Sequence, residues 1–249
     1  MIYVKNTPHY TGIALYGDFM DFQGLYEALH TIVGSEDEHS EFEAARLRVL
    51  GTCYDIRHAY MGDREVEFVS NGLDKETRQY LSVVAPDMNL YLKCYVLWPE
   101  ALFVTMALND FIRLYARIKT KKSYHYLHDK DIVWDQAVVL VRVFQAAIRQ
   151  CIEETVTEAS YRRMIKLMNS EYTRFAGYTF QYLDVLNCKY IELDKEKKLK
   201  SIPIMCKRLA EQGTEYLKFQ KEIADAARHY NSTVDNIRPA MDYPEDIEW

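Results

Sequence analysis

The sequence predicts an α+β protein: a small, mostly antiparallel N-terminal sheet with helices, followed by a C-terminal helical bundle. Three observations carry that prediction. Leu90, Leu92, Cys94, Val96 and Trp98 alternate with Tyr91, Lys93, Tyr95 and Leu97, the period of two that marks a strand. That strand turns directly into an apolar helix, and every other strand-like run lies before it. Beyond residue 119, apolar residues recur almost only at helical spacing.

Taken in order, Ile2 to Lys5 and Gly12 to Tyr16 read as two strands joined around Asn6, Thr7 and Pro8. Gly17 and Asp18 end the second. After Asp21, the residues Phe22, Leu25, Tyr26, Leu29, Ile32 and Val33 have helical spacing, closed by Gly34. Ser35 to His39 is an acidic, solvated loop. A second helix spans Glu41 to Met61 and stops at Gly62. Glu65 to Val69 is a short strand, and a short helical piece from Lys75 to Val83 leads through Pro86 into the strand at Leu90.

Pro99 and Glu100 open the central helix. Proline presets φ in a first turn, and an acid meets the positive end of the helix dipole. From Ala101 to Ile118 apolar side chains cover most of the circumference, interrupted by Thr105, Asn109, Asp110, Arg113 and Arg117. A helix of that kind is buried.

Lys119 to Asp131 is polar and reads as a linker, dividing the chain into an α+β region, 1–118, and a helical region, 119–249, that share one core. Trp134 to Ile152 forms a buried helix. Thr157 caps another, with Tyr161, Met164, Ile165, Met168, Tyr172 and Phe175 on one face, running to about Tyr190 with a bend at Gly177. Leu193 to Ser201 is a solvated charge run. Pro203 starts the last helix, where Met205, Leu209, Gln212, Tyr216, Phe219, Ile223, Ala226 and Tyr230 keep a heptad seam. The Met205–Tyr230 seam is the expected surface for self-association or a protein partner. The closing MDYPEDIEW is acidic and carries Tyr243, Ile247 and Trp249, a segment suited to docking in a groove.

Composition narrows the function classes. A chain of 249 residues with 49% hydrophobic content buries one large core or two small ones. A net charge of −6 argues against general nucleic-acid binding, which needs a basic footprint to displace counterions. The 20 tyrosines suit half-buried core edges, where the ring is dry and the hydroxyl finds a partner. The cysteines number five, form no C-x-x-C pair and sit in apolar runs, so they read as buried thiols of a reducing compartment. The sequence has no apolar stretch of about 18 residues and does not open like a secretory leader, so the expectation is a cytoplasmic protein without membrane association.

The opening MIYVKNTPHYTGIALYGDFMDF and the later ARLRVLGTCYDIRHAYMGDREVEF resemble a bacterial protein family with no assigned function. The resemblance implies a soluble protein of bacterial origin and brings no activity, cofactor or fold.

Three constellations bear on chemistry. His125, His128, Asp129 and Asp131 have ligand-like spacing but follow the cations Arg117, Lys119, Lys121 and Lys122, so a solvated connector is the favoured reading and no metal is assigned. Asp63, Glu65 and Glu67 alternate along a strand, but Glu65-Val66-Glu67 has no lysine in place. Pro86-Asp87 is followed by Tyr91-Leu92-Lys93, with Tyr where a nuclease-type metal site needs its second acid, so the acids read as a solvent-facing edge. On the second helix, Phe42, Ala45, Val49, Cys53, Ile56 and Tyr60 form the apolar face, with Arg46 and Arg57 at its margin and Arg48, Asp55 and His58 on the opposite, wet side. Guanidiniums beside a buried face need a carboxylate or an anionic ligand, and Asp110 is the candidate partner. Strong catalytic motifs are missing, whereas heptad and tyrosine surfaces are plentiful. The sequence therefore favours a non-catalytic interaction or regulatory protein without a cofactor. Its rival is an enzyme acting on an anionic substrate, with Arg46 and Arg57 as clamps and Asp55 or His58 moving a proton.

Overall fold

Close backbone approach sets the geometry of the sheet. The computed structural model describes residues 1–121, 124–169 and 175–249. Among them are the strands β1 (Tyr3–Asn6), β2 (Gly12–Gly17), β3 (Glu65–Ser70) and β4 (Met88–Leu97), in the order β1-β2-β4-β3 and antiparallel throughout. β2 is buried along its whole length. A Cβ on Gly12 would lie 2.1 Å from the Val96 carbonyl oxygen, so only glycine lets β2 meet β4 at this end.

The two faces of the sheet differ. Ile2, Val4, Ile13, Leu15, Cys94 and Val96 enter the main core. The opposite face is an aromatic ladder: Tyr3 stacks on Tyr16 at 4.6 Å and meets Tyr91 edge-on at 5.2 Å. Lys5 and Lys93 lie over these rings.

The helices are α1 (Phe19–Val33), α2 (Glu43–Tyr60), α3 (Lys75–Leu81), α4 (Trp98–Thr120), α5 (Lys130–Val133), α6 (Gln136–Thr155), α7 (Glu158–Met168), α8 (Gln181–Ile191), α9 (Lys195–Glu211) and α10 (Thr214–His229). From Trp98 to Ile112 every residue of α4 except Glu100 and Asn109 is buried. α1, α2, α6, α8, α9 and the sheet all pack against it. One continuous cluster of buried residues runs from Ile2 to Tyr216. No helix among the described residues is long and apolar enough to cross a membrane.

Several expected boundaries shift, each for a local reason. Asp18 caps α1 by accepting from the Asp21 backbone N–H, so the helix begins before Phe22. Trp98 opens α4 instead of closing β4, and α4 runs on to Thr120, into the expected linker. Asp135 caps α6 through the Val138 N–H, which leaves Trp134 outside the helix and 83% exposed. The helix capped by Thr157 ends at Met168 rather than near Tyr190. Gly177 has φ +61° and precedes a separate α8; Tyr172 and Lys122 lie outside the described residues.

The last helix is two helices. Asp194 accepts from the Lys197 N–H and starts α9 in the charge run expected to be solvated, with Lys198 and Ile202 turned inward. Pro203 therefore lies inside α9 rather than at its start. Gln212 then takes the left-handed conformation at φ 46°, and Gly213 caps α10, so the heptad seam is cut in the middle. Met205, Leu209, Tyr216 and Ile223 are buried in their own chain, whereas Tyr230 is 71% exposed.

Gly12→Ala forces β2 away from the Val96 carbonyl, and overpacking of this kind costs about 1–3 kcal/mol or more. Urea denaturation should show that loss, and an unchanged midpoint would show that the strand ends tolerate separation.

Candidate functional site

Arg48, Thr52 and Asp55 follow one another at spacings of four and three, which places them on one side of α2. The sequence reading assigns Arg48 and Asp55 to a wet face; the structure corrects this for Arg48. Its side chain is 18% exposed, with Nη2 at 2.6 Å from Asp184 Oδ2 and Nη1 at 3.7 Å from Glu100 Oε2. Nη2 also donates to the Phe180 carbonyl at 3.2 Å. Burial opposes the Arg48 charge, but Glu100 and Asp184 outweigh it and hold the guanidinium protonated more firmly than usual.

Glu100 stands in the first turn of α4 and accepts at Oε2 from Asn187 Nδ2 at 3.0 Å. The same amide nitrogen donates to the Tyr243 hydroxyl oxygen at 3.0 Å, and the Tyr243 hydroxyl donates to Asp184 Oδ1 at 2.9 Å. α2, α4, α8 and the chain after α10 thus meet in one polar network. Burial pushes both the Glu100 carboxyl and the Tyr243 phenol upward.

This network floors a cleft of about 750 Å³. Its second wall comes from β3 and β4. Lys93 Nζ lies 3.0 Å from Glu65, Tyr95 donates to Glu65 at 2.7 Å, and Arg64 pairs with Asp55 at 2.9 Å. Bonds from Tyr95 and Lys93 hold the Glu65 carboxyl below its ordinary range. His58 Nδ1 lies 3.0 Å from Asp63, which also lines the cleft.

The third wall is the tail. Trp249 stacks on Tyr95 with centroids 5.0 Å apart and planes at 15°. Its carbonyl accepts from the His9 N–H at 3.2 Å, and the Thr11 hydroxyl donates to the Glu248 carbonyl. The docking segment read in the sequence has found its groove in its own chain.

Two of the lining residues leave a buried atom without a hydrogen-bond partner, Thr52 Oγ1 and Asn187 Oδ1; both atoms lie beneath the surface, and Thr52 is 2% and Asn187 1% exposed. The Asn187 amide is oriented by Glu100, since its nitrogen faces that carboxylate and its oxygen turns away from it. Next to Thr52, Gly51 sits mid-helix on the cleft wall, and a Cβ there would meet nothing within 4 Å.

The predicted binding residues lie elsewhere. Arg46 is tied locally, donating from Nε to the Gly34 carbonyl at 3.1 Å and pairing with Glu43 at 2.9 Å. Arg57 is exposed. Asp110 is buried and accepts from Arg113 at 3.3 Å and from the Phe175 N–H at 3.2 Å, so neither arginine meets it. Of the strand acids, Glu65 and Glu67 pair with Lys93 of the adjacent strand across the β3–β4 register, and Tyr91 stands opposite Glu67. All five cysteines are buried and free, and burial pushes the Cys53, Cys151 and Cys206 thiols up to about 12. Among the described residues, no group of three His, Cys, Asp or Glu side chains is placed to hold a metal ion.

Arg48→Ala strands two carboxylates and should cost about 3–5 kcal/mol, against about 0.5 kcal/mol or less for exposed Arg57→Ala. Equal midpoints in chemical denaturation would contradict this. Glu100 also predicts a pH dependence. With its pKa raised by burial, the folded state holds an extra proton between the unfolded and folded values. That contribution to stability is present at low pH and is lost as pH rises through the raised value. Wild type should therefore lose stability relative to Glu100→Gln as pH rises above the ordinary carboxylate value of 4.5. A constant difference above that value would show that Glu100 titrates normally.

Comparison with characterised proteins and with solved structures gives no match. Over residues 2–249 the chain matches the family described as a domain of unknown function, DUF6904, and it belongs to that family.

Proposed function

We propose that this is a non-catalytic regulatory protein of the bacterial cytoplasm. It binds a small ligand in the cleft between α2, β4 and α8 and passes that event to a protein partner through the tail. The observation that carries the reading is the tail's position. Tyr243, Ile247 and Trp249 form part of the cleft lining, and residues 237–249 hold their place by side-chain contacts and by hydrogen bonds to backbone carbonyls, without helix or strand. A ligand on the cleft floor shares Asn187 and Tyr95 with Tyr243 and Trp249. Occupancy and tail position are then linked by contacts in common, which is what coupling between two binding events requires.

The charges support binding over chemistry. Asp55, Asp63 and Glu65 each have a partner in Arg64, His58 or Lys93, an arrangement that fixes wall shape. The rival reading, an enzyme with Arg46 and Arg57 clamping an anion, draws support only from Asp55, because neither arginine lines the cleft. The Met205–Tyr230 seam is a weaker partner surface than the tail, since most of its apolar members are buried.

Gly51→Leu supplies the test, because Gly51 lines the cleft and a Cβ there meets nothing within 4 Å. A thermal-shift screen of metabolite-like compounds should yield hits on wild type that vanish in this variant. Those hits should also change hydrogen exchange in 237–249. Hits that stabilise both proteins equally, or an empty screen, would count against the reading.

A further inference from the structure

Asp242 to Trp249 sit in a groove without belonging to the core. None of these residues is buried, and the main core cluster, with the residues packed against it, ends at Phe219. Yet the segment is held near both ends. Tyr243 is gripped through its hydroxyl by Asn187 and Asp184, and Trp249 lies on the Tyr95 ring. The carbonyls of Glu248 and Trp249 accept from Thr11 and His9 in the β1–β2 loop. Aromatic anchors combined with main-chain hydrogen bonds are the means by which a groove recognises a peptide.

There is open space on both sides of the segment. Tyr243, Ile247 and Trp249 line the cleft of about 750 Å³, whereas Asp242, Pro244, Asp246 and Glu248 line a second cavity of about 610 Å³. α8 borders both, with Asn187 in the first and Cys188 and Ile191 in the second. The tail is thus the partition between them, and without it the two become one groove along α8. The bed is complete without its occupant, because Asp184 keeps Arg48 at 2.6 Å and Asn187 keeps Glu100 at 3.0 Å. Lifting the tail opens the groove and leaves the core in place.

We propose that residues 242–249 are an intramolecular peptide ligand, and that the α8 groove takes the same segment from a second copy once its own tail is lifted. The second copy is the occupant because its tail carries the chemistry the groove already fits. That chemistry is a tyrosine hydroxyl, an indole six residues on and two carbonyls beside it. The tether decides which tail wins. A covalently attached segment competes at an effective concentration on the order of millimolar, so the intact chain keeps its own tail and stays monomeric. Weakening one anchor shifts the balance towards the free segment, and exchange of an identical element between copies is a low-cost route to a dimer. The inference concerns the groove beneath the tail and does not rest on a small ligand in the cleft.

Fluorescence polarisation with a labelled peptide of residues 242–249, DYPEDIEW, tests it on the full chain. The Trp249→Ala variant should bind this peptide at least about tenfold more tightly than wild type does. A peptide with alanine in place of its tryptophan should bind that variant about tenfold more weakly than DYPEDIEW. Hydrogen exchange in 242–249 should rise in the variant while exchange in α4 stays the same. Trp249→Ala has an open groove, and Tyr95→Ala has an intact tail that has lost its stacking partner. Mixed, the two should form a heterodimer in sedimentation velocity, although each is a monomer alone. If the tail exchanges freely in Trp249→Ala and the peptide still does not bind, the groove is not a peptide site. If tail exchange does not rise even with Tyr243→Phe added, the tail is no separable element and the proposal fails. If the peptide binds but no heterodimer forms, the occupant is not a second copy.

Discussion

An α-helix with apolar side chains on nearly every side can satisfy them only by being surrounded, and α4 imposes that condition on the rest of the chain. Sheet, α1, α2, α6, α8 and α9 are arranged as its cover. The polar residues of α4 are tied in accordingly. Thr105 donates to the Ala101 carbonyl at 2.6 Å, and Gln145 reaches the Thr105 carbonyl at 2.8 Å and Asn109 at 3.2 Å. Trp98 donates to Asn6 Oδ1 at 3.1 Å, which joins the start of the helix to β1. Glu100 is the exception on which the site depends. It lies at the N-terminal end of the helix, where the cover formed by α2 and α8 leaves an opening.

Opposing effects act on that carboxyl. The helix dipole favours an anion in the first turn by about 0.3–1 kcal/mol, and Arg48 adds its charge. Burial works the other way and prevails, so Glu100 is raised. Across the cleft, Glu65 is 61% exposed and is lowered by Tyr95 and Lys93. The two carboxyls thus move apart through environment alone. The mouth keeps a settled negative charge, while the floor carries one that burial makes costly.

The fold was legible because its strongest signals are local. The alternation through β4, the Pro99-Glu100 start of α4 and the apolar circumference that follows are consequences of burial on two sides and on all sides respectively. Helix ends were less legible. Caps at Asp18, Asp135 and Asp194 decide them through single side-chain bonds, and periodicity does not register such bonds. The break at Gln212 and Gly213 hid inside a seam that stays in heptad register across it, because two antiparallel-capable helices and one long helix can share the same apolar spacing.

The candidate site was less legible still, and Arg48 shows why. A helical wheel locates the first face to be buried, here the one with Val49, Cys53 and Ile56. It is silent on a second face covered by a polar helix from far along the chain. α8 brings Asp184 and Asn187 against Arg48 and Glu100, and these four positions carry no shared sequence motif. The tail was recognised as a docking segment from its aromatic and acidic composition, but the groove it meets is formed by tertiary structure alone.

A cleft of this composition is costly to a fold. A buried polar atom without a partner costs about 1–3 kcal/mol, and a glycine in mid-helix about 1 kcal/mol relative to alanine. Ordering an irregular tail adds conformational entropy for each residue fixed. Valine in place of Thr52, and alanine in place of Gly51, would remove two of these costs, since the Thr52 hydroxyl makes no hydrogen bond and a Cβ at Gly51 meets nothing. Unpartnered atoms are not confined to this space, since Tyr3, Glu43, Tyr161, Tyr178 and Gln181 each leave one elsewhere in the fold. What is particular to the cleft is that α2, α4, α8 and the tail meet there through paired charges, so the irregular tail is ordered by the same residues that shape the cavity.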